Sequence, residues 1–138
     1  MYLRFTSSDA VHLGLRGGKA VHRGIFGPAY RVRRDPSYPL YLRRAVHTEL
    51  RWFEDKLPVP PRGQFQVRSK TWWRAQGICW FKPEAREMIQ RAFGLRAVLR
   101  ECDILISDLR TDRPGQILYK DAFQIIAKPS ADTPTVWC

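Results

Sequence analysis

The chain has 138 residues, 44% hydrophobic and 12% aromatic, and a formal net charge of +11. That length supports one domain with its own core, which excludes wholesale disorder and any need for a metal or disulfide staple. No apolar stretch approaches the roughly 18–20 residues of a membrane-spanning helix, and none follows Met1 to make a secretory signal, so a soluble cytoplasmic protein is expected.

The charge is uneven. Residues 1–78 carry fifteen Lys and Arg against five Asp and Glu, a net +10, whereas residues 79–138 carry nine against eight. Arginine outnumbers lysine eighteen to six; that bias explains which base is used, not why the two parts differ. A surface this cationic concentrates polyanions around itself.

In chain order, residues 1–35 read as β-rich. Tyr2-Leu3-Arg4-Phe5 is a short strand, Leu13 to Val21 is a hairpin about Gly17-Gly18, and Tyr30 to Arg34 is a further strand or irregular arm. Asp35 or Ser37 is the expected cap of a helix from about 40 to 56, with Pro39 in its first turn. Its apolar positions Leu42, Val46, Leu50, Phe53 and Leu57 recur at helical spacing. Pro58, Pro60 and Pro61 end it.

Residues 58–77 form a proline-led loop and a strand or two, and Ile78-Cys79-Trp80-Phe81 is a buried strand. A second helix spans about 83–101, opened by Pro83 and Glu84 and facing the core with Met88, Ala92, Leu95, Leu99 and Cys102. Ile104-Leu105-Ile106 reads as a short buried strand and Arg113-Pro114-Gly115 as a turn. Residues 116–119 and 123–127 form a hairpin across Lys120-Asp121-Ala122. The expected architecture is α+β: a small, mostly antiparallel sheet on two main helices, one domain over 1–128 and a polar, mobile tail over 129–138.

Two constellations bear on function. From Lys56 to Arg74 the chain holds Arg62, Arg68, Lys70 and Arg74 without an acid, interleaved with Phe65, Trp72 and Trp73. Cations neutralise phosphates, and exposed rings stack on bases. Strand alternation puts Arg68, Lys70 and Trp72 on one face; the plainer reading makes both tryptophans core. A second cluster holds Arg16, Lys19, Arg23, Arg31, Arg33 and Arg34, with no acid between Asp9 and Asp35. Arg43, Arg44 and Arg51 would join the two into a stripe suited to tracking a backbone. The plainer reading is a solvated basic surface.

No catalytic, cofactor or metal site is expected. His12, His22 and His47 match no ligand spacing, and the three cysteines are odd in number and lack a C-x-x-C pair. A Cys79–His47 pair is disfavoured because apolar neighbours blunt a thiol. Of the carboxylates that could hold a nuclease metal, Asp121 reads as turn chemistry and Glu54-Asp55 as a solvated helix end.

Several ordered strings share a resemblance: Gly24-Ile25-Phe26, Trp52-Phe53 with Leu57-Pro58-Val59-Pro60, Arg68-Ser69-Lys70, Ile78 to Lys82, and Arg110-Thr111 through Pro114-Gly115 to Tyr119, Asp121 and Gln124. Together they resemble a family of small uncharacterised bacterial proteins, over residues 24–128. The resemblance implies a bacterial or phage origin and no activity.

The sequence therefore predicts a nucleic-acid-binding protein, non-catalytic and not base-specific. Its predicted contacts are Arg31, Arg33, Arg34, Arg43, Arg44, Arg62, Arg68, Lys70, Trp72 and Arg74. One alternative is a small phage or mobile-element inhibitor docking on a host nucleoprotein complex. The other is a metal-dependent nuclease.

Overall fold

The computed structural model describes residues 1–12, 20–59 and 77–136, with the backbone alone for residues 10–12. The protein is α+β. In chain order its elements are β1 (Tyr2–His12), β2 (Ala20–Gly24), α1 (Phe26–Arg34), α2 (Leu40–Lys56), β3 (Ile78–Phe81), α3 (Arg86–Glu101), β4 (Ser107–Thr111), β5 (Gln116–Lys120) and β6 (Gln124–Lys128).

All described strand pairings are antiparallel, and β1 is the strand the sheet is organised around. Thr6 pairs with both Gly24 and Ser107, and Leu3 with both Phe81 and Arg110. A residue has one neighbour on each side, so β4 holds one edge of β1 while β3 and β2 share the other. The two part company at Arg4–Phe5. Beyond β3 the sheet continues through β6 to β5.

Alternation along these strands gives the sheet two buried faces. Leu3, Phe5 and Phe81 pack beneath the helices with Val46, Leu50, Phe53, Ala92, Leu95 and Leu99. Val21, Ile78, Trp80, Leu109, Ile125 and Ala127 make a second cluster on the opposite face. Pairing aligns Leu109 with Arg4 and Trp80 with Ile125, so Arg4 belongs to that second, apolar face.

Helix α2 has the predicted bounds, and α3 buries the predicted stripe. Four readings need correction. Tyr30 to Arg34 belong to α1, in which Ala29 and Val32, with Ile25 just before its start, recur at helical spacing and are buried. Neither Asp35 nor Ser37 caps α2: Pro39 stands at that position, and the Asp35 carboxylate accepts from the Ser37 N–H at 2.9 Å. Residues 83–85 precede α3, because the Ala85 N–H turns back to the Lys82 carbonyl. Residues 104–106 are not a strand. Asp103, at φ 61°, ends α3 in the left-handed region, Leu105 is exposed, and the pairing strand begins at Ser107.

A fifth correction concerns the tail, expected to be mobile: residues 129–136 are docked. Thr135 Oγ1 donates to the Ala20 carbonyl at 2.7 Å, the His22 N–H donates to the Thr135 carbonyl, and Thr133 Oγ1 donates to the Arg113 carbonyl. The turn before β5 requires glycine. Gly115 has φ +99°, and a Cβ there would drive into the Lys128 carbonyl.

The β5–β6 hairpin is organised by Asp121. Its carboxylate accepts from Tyr119 Oη, from the Phe123 and Gln124 N–H groups, and from Gln124 Nε2, all within 3.0 Å. Gln124 Nε2 also reaches the Pro58 carbonyl at 2.7 Å, tying the hairpin to the exit of α2. Burial pulls the Asp121 carboxyl upward, but these hydrogen bonds outweigh it and leave the group below its ordinary value. An Asp121→Ala substitution should therefore cost about 1–3 kcal/mol of unfolding free energy, measured by urea denaturation at pH 7. Because the folded-state value is the lower one, the stabilisation is complete above about pH 4 and shrinks as acid protonates the carboxylate.

Candidate functional site

Arg62, Arg68, Lys70, Trp72 and Arg74 lie outside the described residues. The other five predicted contacts flank the α1–α2 corner. Arg31, Arg33 and Arg34 occupy the last turn of α1, where cations also complement the helix dipole. Arg43 and Arg44 lie in the first two turns of α2.

Two of the five are engaged by acids. Arg31 Nη2 is 3.1 Å from Asp9 Oδ2, and Arg33 Nη1 is 2.7 Å from Glu54 Oε1. The hydrogen bond from Arg33 holds the Glu54 carboxyl below its ordinary value. Arg51, the proposed link along α2, is 3.7 Å from Glu54 and 3.6 Å from Asp55. Arg34, Arg43 and Arg44 make no ion pair with a described residue, and Arg43 Nε is buried without a hydrogen-bond partner. The stripe is thus interrupted. Its open part is this corner.

A different cationic site lies inside the fold. Where β2 and β3 separate along β1, a cavity of about 410 Å³ opens. Arg4, Phe26, Tyr30, Ile78, Trp80 and Phe81 contribute to its walls, and the exposed Arg23 and Gly27 mark its mouth. No Asp or Glu is among the described residues that line it.

Arg4 is 9% exposed, and its Nη1 has no hydrogen-bond partner; neither has the buried Nε1 of Trp80. No ion pair reaches Arg4 from a described residue. Burial lowers its pKa to about 10, with proximity to Cys79 acting the other way, so it is still a cation at neutral pH. The start of α1 meets the same cavity. This helix has no side-chain cap and no acid in its first turn. A Cβ placed on Gly24 would lie 3.8 Å from Arg4 Nη2, which sets the guanidinium beside that helix start. The sequence shows Arg4 as part of a strand, but not its burial.

The carboxylates do not assemble. Asp108 pairs with Arg96 and Arg110, Glu49 lies near Arg91, and Asp121 is spent in its turn. Among the described residues no group of three or more His, Cys, Asp or Glu side chains is placed to hold a metal. Cys79 lines the cavity and His47 does not. No described helix is long and apolar enough to cross a membrane.

Comparison with protein-family models, curated proteins and solved structures gives no match.

An unpaired buried cation opposes folding. Arg4→Met, which keeps the bulk and removes the charge, should raise the unfolding free energy by about 1–4 kcal/mol in denaturant titration. An unchanged or lower stability would mean that the guanidinium is satisfied where it sits.

Proposed function

We propose that this protein binds nucleic acid without acting on it chemically, holding the phosphate backbone rather than reading bases. The observation that carries this reading is the separation of charge along the chain, +10 in residues 1–78 against +1 in the remainder. The exposed cations Arg34 and Arg44 of the α1–α2 corner contribute, with the half-buried Arg43 between them in the chain, and Arg62, Arg68, Lys70, Trp72 and Arg74 complete the proposed set. Arg31 joins readily, because an ion pair as exposed as Arg31–Asp9 is worth at most about 1 kcal/mol and yields to a phosphate. The dispersal of carboxylates onto separate partners favours binding over metal-dependent cleavage.

Fluorescence anisotropy with labelled single-stranded RNA and DNA should show a Kd that rises steeply with salt. Replacing Arg34, Arg43 and Arg44 with alanine together should weaken binding at every sequence alike. The salt slope should flatten by about 0.7 for each phosphate that the variant no longer neutralises. Indifference of the triple variant, or no retention of the native protein on an RNA column at low salt, would overturn the assignment. Stoichiometric recovery of one protein partner without nucleic acid would favour the inhibitor reading.

A further inference from the structure

We propose that the cavity between β2 and β3 is a binding site for a small organic anion. A carboxylate or phosphate group would sit between the Arg4 guanidinium and the first turn of α1. The ligand's apolar body would lie against Phe26, Tyr30 and Ile78. This inference does not depend on the nucleic-acid reading and uses none of the contacts proposed for it, although Arg4 and Arg23 count toward the same excess of charge in residues 1–78.

Charge is the first argument. Arg4 is a cation nine-tenths buried in an apolar sheet face, and no described carboxylate neutralises it. The chain has no Asp or Glu from residue 10 to residue 34 or from residue 56 to residue 83. The segments joined to the cavity walls therefore bring no counter-ion of their own. A buried charge in that condition is stabilised by an anion arriving from outside.

Donor geometry is the second. The first N–H groups of a helix have no intrahelical acceptor and carry the positive end of its dipole. In α1 the Ile25 N–H is taken by the Phe5 carbonyl and Pro28 has none, which leaves those of Phe26 and Gly27 at the cavity wall. Two sources of positive potential thus meet at Gly24 with no described carboxylate between them.

Shape is the third. A volume of about 410 Å³ falls in the range of small-ligand sites, roughly 300–1,000 Å³. Walls of Val21, Ile25, Phe26, Ile78 and Phe81 suit an apolar body behind the charged head. The exposed Arg23 at the mouth draws anions in.

Calorimetric titration at constant ionic strength is the test. Acetate and inorganic phosphate probe the head group, benzoate and phenyl phosphate add an apolar body, and benzyl alcohol is the neutral control. At least one of the larger anions should bind tenfold more tightly than its small counterpart, and benzyl alcohol should not bind. Arg4→Met should lose at least tenfold in that affinity, Arg4→Lys should lose less, and Arg34→Ala with Arg44→Ala should bind as the native protein does.

In native protein, the ¹⁵N–¹H resonances of Phe26 and Gly27 should shift on titration and saturate with the calorimetric Kd; this arm holds even if Arg4→Met fails to fold. The proposal is overturned if no anion binds saturably, if benzyl alcohol binds equally, if Arg4→Met binds undiminished, or if those two amides do not move. RNA binding that persists after such a failure would leave the nucleic-acid reading standing.

Discussion

Strand β1 has more partners than a strand has edges, and the rest of the molecule is arranged around that conflict. Pairing with β4 occupies one side from Tyr2 to Thr6, so β3 and β2 must divide the other. They meet it at Leu3 and Thr6 and diverge between. Helix α1 begins close to the point of divergence, at Phe26 with only Ile25 between it and Gly24, because the chain leaves the sheet there. The seam lies between two buried clusters, one under the helices and one on the opposite face. A seam in such a place would ordinarily be closed with hydrocarbon. Here it holds an arginine, aligned with Leu109 across β4 and adjoining Trp80 of β3.

How far this is legible in the sequence depends on whether local pattern or distant segments set the outcome. Helix α2 is readable to its ends because Leu42, Val46, Leu50 and Phe53 repeat at 3.6 residues and prolines close it. The β5–β6 hairpin is readable because Asp121 supplies turn chemistry within three residues. Helix α1 is hidden because Gly24, Gly27 and Pro28 signal a loop. Their punctuation masks the Ile25–Ala29–Val32 stripe. The apolar run Ile104–Ile106 misleads in the opposite direction, since a left-handed Asp103 spends those residues on a corner rather than a strand.

The candidate site divides in the same way. An acid-free run of sequence reads as an open cationic surface. Asp9 and Glu54 nonetheless reach Arg31 and Arg33 from about twenty residues away in the chain, and only the fold brings them together. Arg4 is placed on a strand by its neighbours, and alternation sets it opposite Leu3 and Phe5. Its burial follows from Trp80, Leu109 and Ile125, which arrive from three other strands. The runs Ile78–Phe81 and Ile125–Ala127, apolar at nearly every position, are the available sign that this sheet is covered on both faces.

These two kinds of arginine differ in what their surroundings ask of them. On the surface, water solvates a guanidinium whether or not a carboxylate is near, so an unpaired Arg34 or Arg44 carries little information individually. Their weight is collective, set by how many there are and where they fall. In the interior, solvation must come from dedicated partners, and going without them has a large energetic consequence for a single residue. Arg4 has kept its charge among apolar neighbours, beside a helix start of the same sign, in a protein whose total stability is a small difference of large terms. Leucine or methionine would serve the fold better at that position. An anion from outside the chain removes the contradiction, and Arg4 Nη2 beside Gly24, with the first N–H groups of α1, marks where it would bind.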